Sequence, residues 1–168
     1  SHGNTARFAI EHGDEVLGKI CGTIAADEGR HEIAYQRIIE EVMKRDKDGA
    51  VLAFADMMKK QIVMPAELMC DGYENPHMME TGLYEDFSRV ATDLNVYTGV
   101  DYADIIEHLN DFWQIEKVTG LGPEAQEAQE YLGKLPVRFR KLANRQQKQL
   151  AKTPRQVRPW PWINGREV

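Results

Sequence analysis

Apolar side chains return every three or four residues along almost the whole of this 168-residue chain, and no long stretch sustains the two-residue alternation of a half-buried strand. Such spacing suits helices packed on helices, so an all-α fold is expected. A first helix runs to a break at Gly13, with Asn4 as its cap or with its beginning further upstream, and Asp14 caps the second. The second helix is long. Val16, Leu17, Ile20, Ile24, Ala34, Ile38, Ile39 and Val42 mark its expected buried stripe to about Met43, and Asp46-Lys47-Asp48-Gly49 ends the run. A third helix is expected from Ala50 to about Val63, with Leu52, Phe54, Ala55, Met58 and Ile62 facing inward and Pro65 closing it.

Residues 65–82, rich in Gly, Asn, Pro and Met, read as a connecting loop. Helical spacing resumes from Leu83 to Tyr97 and from Asp101 to Thr119, the latter with Tyr102, Ile105, Ile106, Leu109, Phe112, Trp113 and Ile115 as its buried face. Pro123 suits the first turn of a further helix, Gly133 and Pro136 are expected to interrupt it, and a basic helix follows to Pro154. Pro159-Trp160-Pro161-Trp162 excludes helix and is expected to run extended. The chain thus reads as a single partial domain: a helical pair over 1–64, a loop over 65–82, further helices over 83–158 and a tail over 159–168.

Within the long helix, Glu28 and His31 lie three residues apart and share one face. A carboxylate and an imidazole at this spacing are what ferritin-like bundles use to hold two iron or manganese ions, with one such couple on each of two helices and a lone Glu on each of two more. The chemistry follows from the donors, since Glu offers hard oxygen able to bridge cations and His a neutral nitrogen of intermediate softness. This chain supplies one couple. The other Glu-x-x-His, Glu74 to His77, contains Pro76 and is not expected to form a regular helix. Taken alone, the couple is also what a charged helix carries by chance, as an exposed Glu beside a half-buried His.

Charge divides the chain. From Lys134 to Arg158 there are nine Lys or Arg and no Asp or Glu, whereas residues 1 to 133 hold eleven basic and twenty-six acidic side chains. An acidic body with a basic C-terminal segment suits a small acidic protein partner better than nucleic acid, because the body would repel a polyanion and the cations are not interleaved with stacking aromatics. A solvated helix face with no partner is the plainer reading. Two cysteines, Cys21 and Cys70, are too few for a disulfide framework and are expected to be reduced. No apolar run approaches the roughly 18 residues of a membrane span. The opening Ser1-His-Gly-Asn-Thr-Ala-Arg7 reads as the interior of a longer polypeptide.

Beyond these single features, the order of several stretches resembles the plant acyl-acyl-carrier-protein desaturases, of the stearoyl 9-desaturase type, in their C-terminal portion. His12-Gly-Asp14 with Ile20-Cys-Gly-Thr-Ile-Ala-Ala-Asp-Glu-Gly-Arg-His-Glu-Ile-Ala-Tyr35 is similar to that family's second metal-binding helix. Asp48-Gly-Ala-Val-Leu-Ala-Phe-Ala-Asp-Met-Met58, Met64-Pro-Ala66 and Leu68-Met69 resemble the segment after it, and Val96-Tyr-Thr98, Asp101-Tyr-Ala-Asp-Ile105 and Thr119-Gly-Leu121 match further on.

The resemblance implies a ferritin-like di-iron helical bundle. It implies an enzyme of the plastid (chloroplast stroma), soluble and homodimeric as a full-length protein. That enzyme uses Fe2+, dioxygen and electrons from ferredoxin to place a cis double bond in a saturated acyl chain carried by acyl carrier protein, in fatty acid biosynthesis. Glu28 and His31 match two of six metal ligands, Asp27 a carboxylate supporting the cluster, Tyr84 and Glu85 the mouth of the substrate channel, and Arg138, Arg140 and Lys141 a basic cluster facing the carrier protein. The other four ligands lie upstream in the family. The segment alone is therefore expected to be inactive and to leave bare the apolar faces that absent helices would cover. The alternative is a non-catalytic helical module that keeps the carrier-docking face and has lost the metal.

Overall fold

Helix α1 (His2–Glu11) ends in a left-handed turn that Gly13, at φ +84°, enters without strain. The Gly13 N–H donates to Ile10 O at 3.1 Å and the Asp14 N–H to Ala9 O at 2.8 Å, the paired bonds of a Schellman ending. Asp14 Oδ1 then accepts the Leu17 N–H at 2.9 Å and starts α2 (Glu15–Arg45). The two helices fold back on each other around Gly18, where an added Cβ would stand 2.6 Å from Ile10 Cγ1. Asn4 lies inside α1 rather than capping it, and its Nδ2 donates to Val96 O at 3.0 Å and Asp101 Oδ1 at 3.3 Å. The computed structural model that shows this describes residues 1–60, 83–150, 152, 159–160 and 166–167. The expected 65–82 loop and Cys70 lie outside them.

A single residue, Asp46, separates α2 from α3 (Lys47–Lys60). Its Oδ1 accepts the Gly49 N–H at 2.8 Å, and its carboxylate lies where a Cβ on residue 49 would stand. Asp46 thus ends α2 as expected, while Lys47-Asp48-Gly49 already form the first turn of α3, which starts three residues earlier than its apolar pattern suggests.

Helix α4 (Leu83–Asp93) stops short of Tyr97, because the chain reverses at Asn95 with φ +54°. A capping box between Thr98 and Asp101 opens α5 (Gly99–Phe112). This helix ends well before Thr119. Gln114 turns left-handed at φ +49°, and a 3-10 turn (Ile115–Lys117) carries Ile115 into the core, fully buried. Gln129 Nε2 donates to the carbonyls of Ile115 at 2.6 Å and Val118 at 2.9 Å. These bonds satisfy backbone groups that a continuing helix would have satisfied itself.

The largest departure from expectation is α6 (Pro123–Leu150), which runs unbroken through Gly133 and Pro136. Proline at 136 has no N–H for the carbonyl of Leu132. Asn110 on α5 supplies the missing donor, its Nδ2 lying 2.8 Å from Leu132 O in a buried position. Around this joint sits the core, built from Val51 and Ala55 of α3, Ile115, Leu121, and Ala125, Ala128 and Leu132 of α6. Phe54 meets Trp113 edge-on there, ring centroids 5.2 Å apart.

The expected tail lies partly outside the described residues, yet it doubles back. Strand β1 (Pro159–Trp160) pairs antiparallel with β2 (Arg166–Glu167). The all-α class holds for the body, and this two-residue ladder is added to it.

Candidate metal centre and docking face

Helix α2 is apolar on two faces, and only one is covered. Gly18, Cys21 and Gln36 are its buried residues, Gly18 against Ile10 of α1 and Gln36 against His108 of α5. Roughly a quarter-turn away, at steps of three and four, stand Leu17, Ile20, Ile24, Glu28, His31, Tyr35, Ile38 and Val42. All six apolar members of that row are exposed, Tyr35 at 68% and Ile38 at 55%. Most of the stripe expected to be buried is therefore open.

At the middle of the row, Glu28 Oε2 and His31 Nδ1 lie 3.5 Å apart, with 59% and 65% of their side chains exposed. The couple points the same way, as helical spacing requires, and it points outward rather than into a cavity. Among the described residues no third His, Cys, Asp or Glu joins it in a group able to hold a metal. The donors suit a divalent transition metal: one carboxylate oxygen and one imidazole nitrogen, converging from one helix and flanked above and below by apolar side chains. They amount to part of a coordination shell.

Asp27 is turned away from the couple. Its carboxylate pairs with Arg30 one helical step on, so it does not hold the imidazole. Glu32 makes a different link, accepting from Gln36 Nε2 at 2.9 Å, while the same Nε2 lies 3.0 Å from His108 Nε2 on α5. The Trp113 indole N–H donates to Gln36 O at 3.1 Å. Gln36, buried and amide-bearing, thus fixes the second half of α2 against α5. Periodicity cannot reveal it, because a polar residue on a buried face breaks the pattern that finds buried faces.

On α6 the basic cluster divides. Arg140 donates to Asp104 Oδ1 at 2.6 Å and to both oxygens of Glu107, clamping α6 to α5. Hydrogen bonds to Glu107 and Asp104 hold the guanidinium above its ordinary pKa, and the hydrogen bond from Arg140 keeps the Glu107 carboxyl below its own. Its charge is thus already engaged within the chain, unlike those of its neighbours in the cluster. Arg138 and Lys141 are exposed with no acidic partner among the described residues, and Arg145 and Lys148 extend the same row at steps of four and three. Tyr84 is half-buried in the first turn of α4, where Glu85 also lies.

Residues 1–164 match the family model described as fatty acid desaturase. Among curated proteins, the chloroplastic stearoyl-[acyl-carrier-protein] 9-desaturase of Olea europaea is 52% identical over all 168 residues, which cover 41% of that protein. A seed-specific chloroplastic counterpart from Brassica napus is 54% identical over 40% of its length. One from Arabidopsis thaliana is 51% identical over 41%. The chain spans about two fifths of the length of the curated relatives it matches.

Proposed function

Because this chain belongs to the fatty acid desaturase family, we propose that it is the portion of an acyl-[acyl-carrier-protein] desaturase that brings Glu28 and His31 to a di-iron centre. The observation carrying this reading is the acid-imidazole couple at the midpoint of an uncovered apolar row. A charged pair on a solvated face has no need of six large apolar neighbours aligned with it, whereas a metal site inside a bundle does. In the whole protein, helices beyond the two fifths spanned here would cover the row and add the remaining ligands.

The reaction converts two adjacent methylenes of a saturated acyl chain, with dioxygen, two electrons and two protons, to a cis double bond and two waters. Bound iron would activate the dioxygen that serves as oxidant. The side chains of this segment have a simpler task. Glu28 contributes a carboxylate and His31 a neutral ring nitrogen, with the other ring nitrogen free to donate to a neighbouring acceptor that fixes its tautomer. Once covered, Leu17 to Val42 would keep water from the site. The acyl chain would arrive on acyl carrier protein, electrons from ferredoxin, and the setting would be the plastid stroma, in line with the chloroplastic relatives. A homodimer, and Tyr84 and Glu85 at the channel mouth, belong to the same reading.

The test is the complete enzyme, loaded with ferrous iron and given reduced ferredoxin, dioxygen and stearoyl carrier protein. Glu28→Ala and His31→Ala should each lower the bound iron and abolish the monoene product detected by gas chromatography. Full activity and iron content in either variant would overturn the assignment. The free cations of α6 favour a second reading, a carrier-binding module without metal chemistry. Carrier binding by the intact protein with no iron bound and no product formed would support it.

A further inference from the structure

We infer that Gln36, on the covered face of α2, is a positioning residue that aims the Glu28–His31 couple, because its hydrogen bonds to α5 and to Trp113 fix the rotation of α2 about its own axis. This rests on the reading of Glu28 and His31 as metal ligands. It adds a residue that belongs neither to the open row nor to the coordination shell.

Gln36 is 5% exposed, the one buried residue of α2 beyond Cys21 among the described residues. A buried amide needs partners, and those of Gln36 lie in fixed directions. The Glu32 carboxylate accepts only, so the amide atom beside it is Nε2, which donates to Oε1 at 2.9 Å. Nε2 has a second hydrogen, and His108 Nε2 on α5 is placed 3.0 Å away to accept it. Glu32 Oε1 stands 3.4 Å from the same ring nitrogen, so the three side chains close a triangle. The main-chain carbonyl of Gln36 takes the Trp113 indole N–H at 3.1 Å, and Phe54 meets that indole edge-on at the core. Side chain and backbone of one residue are thus both tied to the corner.

Apolar packing tolerates a helix turned by a few degrees, whereas directional bonds to a buried polar group do not, which is how such groups set register between helices. The size of the effect decides whether this matters. Side-chain ends stand about 5–6 Å from a helix axis, so a turn of about 10° carries them about 1 Å. Metal–ligand distances hold to about 0.2 Å, and a misplacement of about 1 Å costs about a hundredfold in rate. Gln36 lies about 140° round the axis and about 7.5 Å along it from His31, and about 80° round and about 12 Å along from Glu28. It acts on both through the helix backbone.

The test uses the complete iron-loaded enzyme and reads the site apart from turnover. Gln36→Leu keeps most of the bulk of the side chain and removes its amide. Iron should still bind, since both ligands remain, but its affinity by competition with a chelator should fall about tenfold, and the visible circular dichroism of the bound ferric iron should change. The kcat should fall about tenfold or more, with KM for stearoyl carrier protein unchanged.

A double variant, Gln36→Leu with His108→Phe, separates aiming from packing. Replacing both partners by apolar groups leaves neither without its mate, so the melting temperature should return toward that of the parent. The changed dichroism and the weakened iron binding should persist. Recovery of all three together would make the joint a matter of stability alone and would overturn the inference, as would parental iron affinity and dichroism in Gln36→Leu. Should Gln36→Leu fail to fold, His108→Phe alone, at an exposed position, carries the same readouts. Full iron binding in Glu28→Ala and His31→Ala would overturn the ligand reading beneath, whereas loss of iron there with no effect at Gln36 would overturn the positioning role only.

Discussion

The corner where α3, α5, the 3-10 turn and α6 meet and the arm made by α1 and α2 use similar residues to opposite ends. In the corner, Val51, Ile106, Ile115 and Leu132 are all but fully buried, and the irregularities of the backbone are matched by side chains from neighbouring elements. On the arm, Leu17, Ile20, Ile24, Ile38 and Val42 are as apolar and stand in solvent. The corner closes around a buried centre although Ile105, Phe112, Val137 and Leu142 on its rim are exposed, whereas the arm leaves a whole row of one helix open. The Glu28–His31 couple sits at the middle of that open row.

The sharpest way to break this comparison is to truncate one residue from each region. Leu132→Ala should cost about 2–5 kcal/mol in urea unfolding, since a fully buried Leu leaves a cavity. Ile38→Ala, at a concentration where the chain is monomeric, should change stability by no more than about 0.5 kcal/mol. Equal losses would mean that α2 is covered after all.

Next in size is the joint at Pro136. Asn110→Ala should cost about 1–3 kcal/mol by leaving the Leu132 carbonyl buried without a donor. Pro136→Ala restores a backbone N–H at that place. Adding it should recover part of the loss, and a double-mutant cycle showing strict additivity would refute the pairing.

On the surface of the corner, charge reversal at Arg138 and Lys141 should weaken binding of acyl carrier protein by about tenfold at low salt and much less at high salt. Arg140→Gln should leave the salt dependence of binding largely unchanged, because its charge is already engaged by Asp104 and Glu107. Loss of equal size from all three positions would restore Arg140 to the docking face.

The smallest effect concerns the contact of the arm with α5. Burial pushes the Asp101 carboxyl up, but hydrogen bonds from Thr98, from Asn4 and from its own N–H together bring it below its ordinary value. A lowered folded-state pKa means that this stabilisation is present above the unfolded value of about 3.9 and is lost as pH falls through the folded one. Melting curves should show stability declining below about pH 4. Asp101→Asn should be less stable at neutral pH and show a shallower decline in acid.

Much of this architecture is legible in the chain because it is local. Helical spacing, Gly13 as a helix ending, Asp14 as a cap and the shared face of Glu28 and His31 each depend on residues within a turn or two of one another. The order of motifs carried the family as well. Legibility failed where a distant group completes a local defect. Pro136 reads as a helix break until Asn110, 26 positions earlier, offers its amide, and Arg140 reads as a free cation until α5 brings up two carboxylates.

What the sequence by itself determined, then, is which segments coil and which two side chains share a face, since short-range sterics and hydrogen bonding decide those. Only the tertiary structure decided which apolar stripe of α2 is covered and which stands open. Burial is a property of neighbours, and a periodic pattern is the same whether or not a neighbour is there.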